Sequence, residues 1–123
     1  MDSRHIAAGT KLYVGAPVSP MPPERSAAIA ALVARVSGIF EAHLPQCFIE
    51  GDKEARQVLV VVASARSDIP RIAGDLNAGL VSVIPDGQFL DILPFVQGTV
   101  PAGVREARCQ IYPAISKPWL KLW

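Results

Sequence analysis

Residues 57–63 read QVLVVVA. From Val58 to Ala63 six apolar side chains follow one another, four of them β-branched valines, and the run is bounded by the charged GDKEAR of residues 51–56 and by Ser64. A strand built from this stretch has two apolar faces, which is the pattern of a central strand. The run is also far short of the ~20 residues that cross a bilayer. The other elements have to be placed around it.

Upstream, Gln46–Glu50 is a second strand, and GDKEAR between the two is a charged, glycine-containing hairpin connection. Before that, from Glu24 to about His43, Ile29, Leu32, Val33, Val36 and Phe40 recur at helical spacing, so the sequence predicts one long amphipathic helix. A row of small residues on it, Ala27, Ala30, Ala31, Ala34 and Gly38, permits close packing against its own sheet or against a second helix. Lys11–Val14 is a short strand, followed by APVSPMPPE, whose four prolines reject helix until Pro23 opens one.

Downstream, Ser67 and Asp68 offer an N-cap, and Ile69, Ile72, Ala73, Leu76, Leu80 and Val83 form a second helical stripe. The rival reading pairs LVSVI with QFLDI across the Pro85-Asp86-Gly87 turn; the unbroken stripe favours the helix. QFLDILPF then reads as a strand, Pro101–Glu106 as a short helical turn and Arg108–Tyr112 as a last extended piece. The order is βαββαβ with a C-terminal extension. It predicts an α+β, ferredoxin-like sandwich in which two helices cover one face of an antiparallel sheet.

The 123 residues, 50% hydrophobic and 19% charged, suffice for one domain and leave no room for a second. Residues 1–10 read as a flexible arm, 11–112 as the domain and 113–123 as a tail. Twelve basic and eleven acidic side chains give a net charge of +1, so nucleic acid is not an expected partner, and no stretch suggests a membrane. The opening MDSRHIAAGTKLYVG lacks the apolar core of a secretory signal, which makes a cytoplasmic location the expectation.

Several stretches together, VGAPVSPMPPE before a long helix, the strand-hairpin-strand of the middle, IPDGQFLDIL and VREARCQIY, resemble the C-terminal domain of the bacterial enhanced-serine-sensitivity (SseB) proteins. The resemblance runs from about residue 11 to 112. It implies a domain known by a serine-related phenotype rather than by a reaction, and it brings no catalytic residues with it.

The residues themselves carry no hydrolase, kinase, zinc-protease or dinucleotide fingerprint, and no cofactor is expected. His5 and His43 are the only histidines, too few for a zinc site, and with a helix running to His43 the side chains of Glu41 and His43, two apart, diverge. Cys47 and Cys109 read as small buried hydrophobes; a disulfide, or a cysteine nucleophile activated by His43, would require them to meet in space. Asp91 alternates onto the strand face of Phe89 and Leu93 and is the candidate functional acid. That face is either core, where the carboxylate needs a dedicated partner, or an open face touching solvent or another subunit, the reading that avoids an isolated buried charge.

A sheet covered by helices on one side leaves its other side to water, ligand or partner. The leading expectation is a non-enzymatic protein-interaction module acting as a homodimer or on another protein. The alternative is a regulatory domain that binds a small molecule such as an amino acid, and an uncharacterised enzyme comes third. The tail, KPWLKLW at 117–123, sharpens the first: a helical turn there sets Trp119, Leu122 and Trp123 beside one another and away from Lys117 and Lys121. Trp119, Leu120, Leu122 and Trp123 are the expected interaction residues.

Overall fold

The computed structural model describes residues 12–51, 54–88 and 90–113. The expected arm, with His5, and the tail, with Trp119, Leu120, Leu122 and Trp123, lie outside the described residues, as does Phe89. The described chain runs β1 (Leu12–Gly15), α1 (Pro23–Arg35), β2 (Ile39–His43), β3 (Gln46–Ile49), β4 (Arg56–Gln57), β5 (Leu59–Ala63), α2 (Ile69–Leu80), β6 (Ile92–Val96), α3 (Ala102–Glu106) and β7 (Gln110–Tyr112). This is a mixed α+β protein with two sheets, one four-stranded in the order β6-β5-β2-β7 and one three-stranded in the order β1-β3-β4.

QVLVVVA is central, as its apolar faces require. Leu59, Val60, Val61, Val62 and Ala63 are each at most 1% exposed. Leu59, Val61 and Ala63 point into a core shared with Ile29, Leu32 and Val33 of α1 and Ile72, Leu76 and Leu80 of α2. Both long helices therefore cover one face. Val58 and Val60 point the other way, into a second core with Cys47, Leu93 and Val104. The second face is not open: α3 and the β1-β3-β4 sheet cover it.

The arrangement departs from an antiparallel βαββαβ sheet in two further ways. β5 and β6 run parallel, Leu59 opposite Ile92 through Ala63 opposite Val96, so α2 is the crossover a parallel pair demands. The rival hairpin across Pro85-Asp86-Gly87 does not form; the chain after Leu80 continues as a helical turn, with Ile84 N–H bonded to the Leu80 carbonyl at 2.9 Å. Meanwhile β1 pairs with β3 and not with the main sheet. β2-β3 and β4-β5 form one long hairpin that changes sheet at Pro45 and Val58, where the Val58 N–H reaches the Pro45 carbonyl at 3.0 Å. The proline-rich loop is fastened to the second sheet by side chains: Gln46 Oε1 accepts from Val18 N–H at 3.1 Å and Gln57 Oε1 from Met21 N–H at 3.0 Å.

The largest correction concerns the first helix, which ends at Arg35 instead of reaching His43. Gly38 breaks it at φ +91°, a conformation that favours glycine, and a Cβ there would come within 2.8 Å of Arg71 Nη2. Residues 39–43, read as the last turns of that helix, instead form β2 between β5 and β7. Phe40, assigned to the helix core face, is 48% exposed. The small-residue row of α1 does not pack densely on the sheet either, since Ala27, Ala31 and Ala34 are exposed. The close helix approach is made by Gly79 of α2, where a Cβ would come within 2.3 Å of Leu32 Cδ1. Asp68 does stand at the α2 N-cap, but without a side-chain capping bond; its carboxylate lies 3.9 Å from Arg71.

Candidate functional site

Strand periodicity builds the one polar cluster described in the interior. On β2, Glu41 and His43 are two residues apart and so share a face, the one opposite Val62 and Val60 of β5. α3, arriving from β6, lays Arg105 across them. His43 Nε2–H donates to Glu41 Oε2 at 2.5 Å, and Arg105 donates from Nη2 to Oε1 at 2.6 Å and from Nε to Oε2 at 3.3 Å. The Glu41 and His43 side chains are 7% and 1% exposed, whereas that of Arg105 is 55% exposed.

Burial pushes the Glu41 carboxyl up, but the hydrogen bonds and charges of Arg105 and His43 outweigh it and hold the group below its ordinary value. The same pairing raises Arg105. An ionised Glu41 fixes the imidazole proton on Nε2, so in the neutral ring Nδ1 is a lone-pair acceptor. Nδ1 is buried and has no hydrogen-bond partner among the described residues. Enclosed in this way, Nδ1 is closed to solvent in this structure. The cluster acts in this structure as a clamp that fastens α3 to β2.

The conditional pairing of a cysteine nucleophile with His43 is not made among the described residues. Cys47 lies in the second core and Cys109 just before β7, both as free thiols. Burial pushes Cys47 up to about 11 and raises Cys109 as well, so both are poor thiolates at neutral pH. Cys109 Sγ donates to the Ala107 carbonyl at 3.1 Å, and His43 is engaged by Glu41. No group of three or more metal-ligating side chains occurs among the described residues. Asp91 precedes β6 and is half-buried, its Oδ2 lying 3.5 Å from Nη1 of Arg56 in β4 and its carbonyl accepting from Leu59 N–H. It is held by the Arg56 cation of β4 in the second sheet.

The outer face of the β1-β3-β4 sheet differs in character. Val14 and Cys47 face each other inward, so their neighbours Tyr13 and Phe48, also paired in register, face outward. Their rings are 6.1 Å apart at 49°, a tilted pair, and Tyr13 is 56% exposed. A groove of about 250 Å³ runs along them, lined also by Val14, Gly15, Ala16, Gln46 and Ala55, with no charged side chain among the described lining residues. The exposed Glu50 and Glu54 flank it in sequence. No helix among the described residues is long and apolar enough to cross a membrane.

Neither a family model, nor a curated protein, nor a solved structure matches this chain. What the site does is therefore argued from its own chemistry.

Proposed function

We propose that this protein is an SseB-like, non-enzymatic interaction module that acts as a homo-oligomer, its copies meeting through the outer face of the β1-β3-β4 sheet. The observation that carries this is the outward-facing Tyr13–Phe48 pair, Tyr13 exposed and Phe48 half-buried, in a groove with no charged side chain among its described lining residues. Aromatic rings of this kind dominate protein interfaces. A two-fold contact places each patch against its own copy, which a charged patch would oppose and an uncharged one permits. The closed Glu41–His43–Arg105 clamp and the protonated thiols weigh against chemistry at these residues.

Sedimentation at micromolar concentration tests the proposal. The expected result is a dimer that Tyr13→Ser with Phe48→Ser converts to a folded monomer. A second reading, capture of a small ligand such as an amino acid in the same groove, draws on its concavity. Its volume lies below the ~300–1,000 Å³ usual for ligand sites, which favours the first reading. Thermal shifts against an amino-acid panel separate the two.

A further inference from the structure

The outer face of the β1-β3-β4 sheet carries two features side by side. At one end Tyr13 and Phe48, opposite each other in register, line the groove of about 250 Å³. Two positions along, Gly15 pairs with Gln46 and Gln46 with Gln57. Gln46 shares the face of Phe48, because Cys47 between them points into the second core. Both glutamines hold the proline-rich loop by its backbone, Gln46 Oε1 accepting from Val18 N–H and Gln57 Oε1 from Met21 N–H. The loop therefore lies as a ridge against this end of the face, and Gln46 joins it to the groove that Gln46 also lines.

Val18 is the crest of that ridge. At 85% exposure it is the most exposed large apolar side chain among the described residues, and it does not line its own groove. Its backbone is anchored by Gln46 and bracketed by Pro17 and Pro20, whose φ angles are fixed by their rings. A side chain presented on backbone that is already ordered binds at a smaller entropic cost.

Interface size requires a contribution of this kind. Two aromatic side chains cover at most about 300–500 Å² per copy, whereas a stable interface takes about 600–1,000 Å² from each partner. The rest has to come from surface continuous with the groove, and residues 16–21 are that surface. Residues 12–23, LYVGAPVSPMPP, contain no charged side chain, so ridge and groove meet without desolvating a charge. In a two-fold contact each copy receives what it offers. A two-fold axis lying in the interface, between ridge and groove, sets each ridge against the other copy's groove.

We infer that Val18 of one copy seats in the Tyr13–Phe48 groove of a second, and reciprocally, the ridge of residues 16–21 forming the other half of the two-fold contact. This rests on the self-association reading above and names what occupies the groove.

Val18→Ser tests it cleanly, because a side chain so exposed adds little to folding, and its urea unfolding should match that of the parent. In sedimentation equilibrium Val18→Ser should weaken the dimer at least tenfold. This variant keeps an intact groove, while Tyr13→Ser with Phe48→Ser keeps an intact ridge. A mixed dimer of the two retains one complete ridge-in-groove contact, where each variant paired with itself retains none. An equimolar mixture should therefore contain more dimer than either variant alone at the same total concentration. Ala55→Lys, at an exposed position of the lining, blocks the groove without touching the core and should complement Val18→Ser in the same way.

A Val18→Ser chain that associates as tightly as the parent overturns the inference, as do mixtures with no more dimer than their components. If Tyr13→Ser with Phe48→Ser still dissociates the parent dimer, the interaction-module proposal stands in either case. A parent that is monomeric throughout the micromolar range overturns both.

Discussion

Arg105 of α3 forks across Glu41 of β2, its Nη2 2.6 Å from Oε1 and its Nε 3.3 Å from Oε2. One residue is half in solvent and the other almost wholly buried, so the pair is asymmetric: the carboxylate depends on the guanidinium far more than the reverse. Arg105→Ala leaves a buried carboxylate with His43 as its one described partner. Allowing for the solvent around Arg105, a loss of about 1–3 kcal/mol is expected in urea unfolding. Arg105→Lys, which keeps the charge and loses the fork, should fall between.

The lowered Glu41 also sets a pH response. A carboxyl whose folded value lies below its unfolded one, ordinarily about 4.3, contributes stability that is fully present above that unfolded value. The contribution is lost as pH falls through the folded value. Unfolding free energy measured from pH 7 down to acid should therefore decline below about pH 4.3, and Glu41→Gln should flatten that part of the curve. An equal acid decline in Glu41→Gln assigns the response to other carboxyls.

Two glycines hold the α1 end of the molecule in shape. At Gly38, with φ +91° and Arg71 Nη2 only 2.8 Å from where a Cβ would stand, alanine should cost about 1–2 kcal/mol. At Gly79 the methyl would meet Leu32 Cδ1 at 2.3 Å, and overpacking of about 1–3 kcal/mol is expected. Thermal unfolding of each single variant checks both; Leu32→Ala should offset part of the Gly79→Ala loss.

The two thiols should separate under a maleimide or disulfide reagent. Cys47, at 1% exposure and with its thiol pushed up to about 11, should react only as the protein unfolds, and Cys109, half-buried, should react first in the folded protein. Mass spectrometry after brief labelling resolves the order.

How much of this the sequence discloses depends on which periodicity is read. QVLVVVA and the stripe from Ile69 to Leu80 carry strong single patterns, and both elements stand where those patterns put them. The stretch from Val36 to His43 carries two patterns at once. Val36 and Phe40 continue a helical spacing, while Ile39, Glu41 and His43 alternate as a strand, and the tertiary demand of a partner for β5 selects the second. That single misreading hid the clamp, because residues two apart diverge on a helix and converge on a strand. His43 two positions after Glu41, just past Ser37-Gly38, was the available signal. Arg105 had none, since nothing local tells that α3 will cross β2. The parallel β5-β6 pair was equally silent, for a strand-helix-strand order does not tell whether its two strands are neighbours or have another strand between them. Tyr13 and Phe48 become neighbours only through the β1-β3 register, 35 positions apart in the chain.

The most direct test of the central claim is sedimentation equilibrium of the full chain and of Tyr13→Ser with Phe48→Ser at micromolar concentration, with urea unfolding of both. A dimeric parent and a monomeric double variant that retains its folded secondary structure is the expected result. A parent that sediments as a monomer across that range, or a double variant that associates as tightly as the parent, would contradict it.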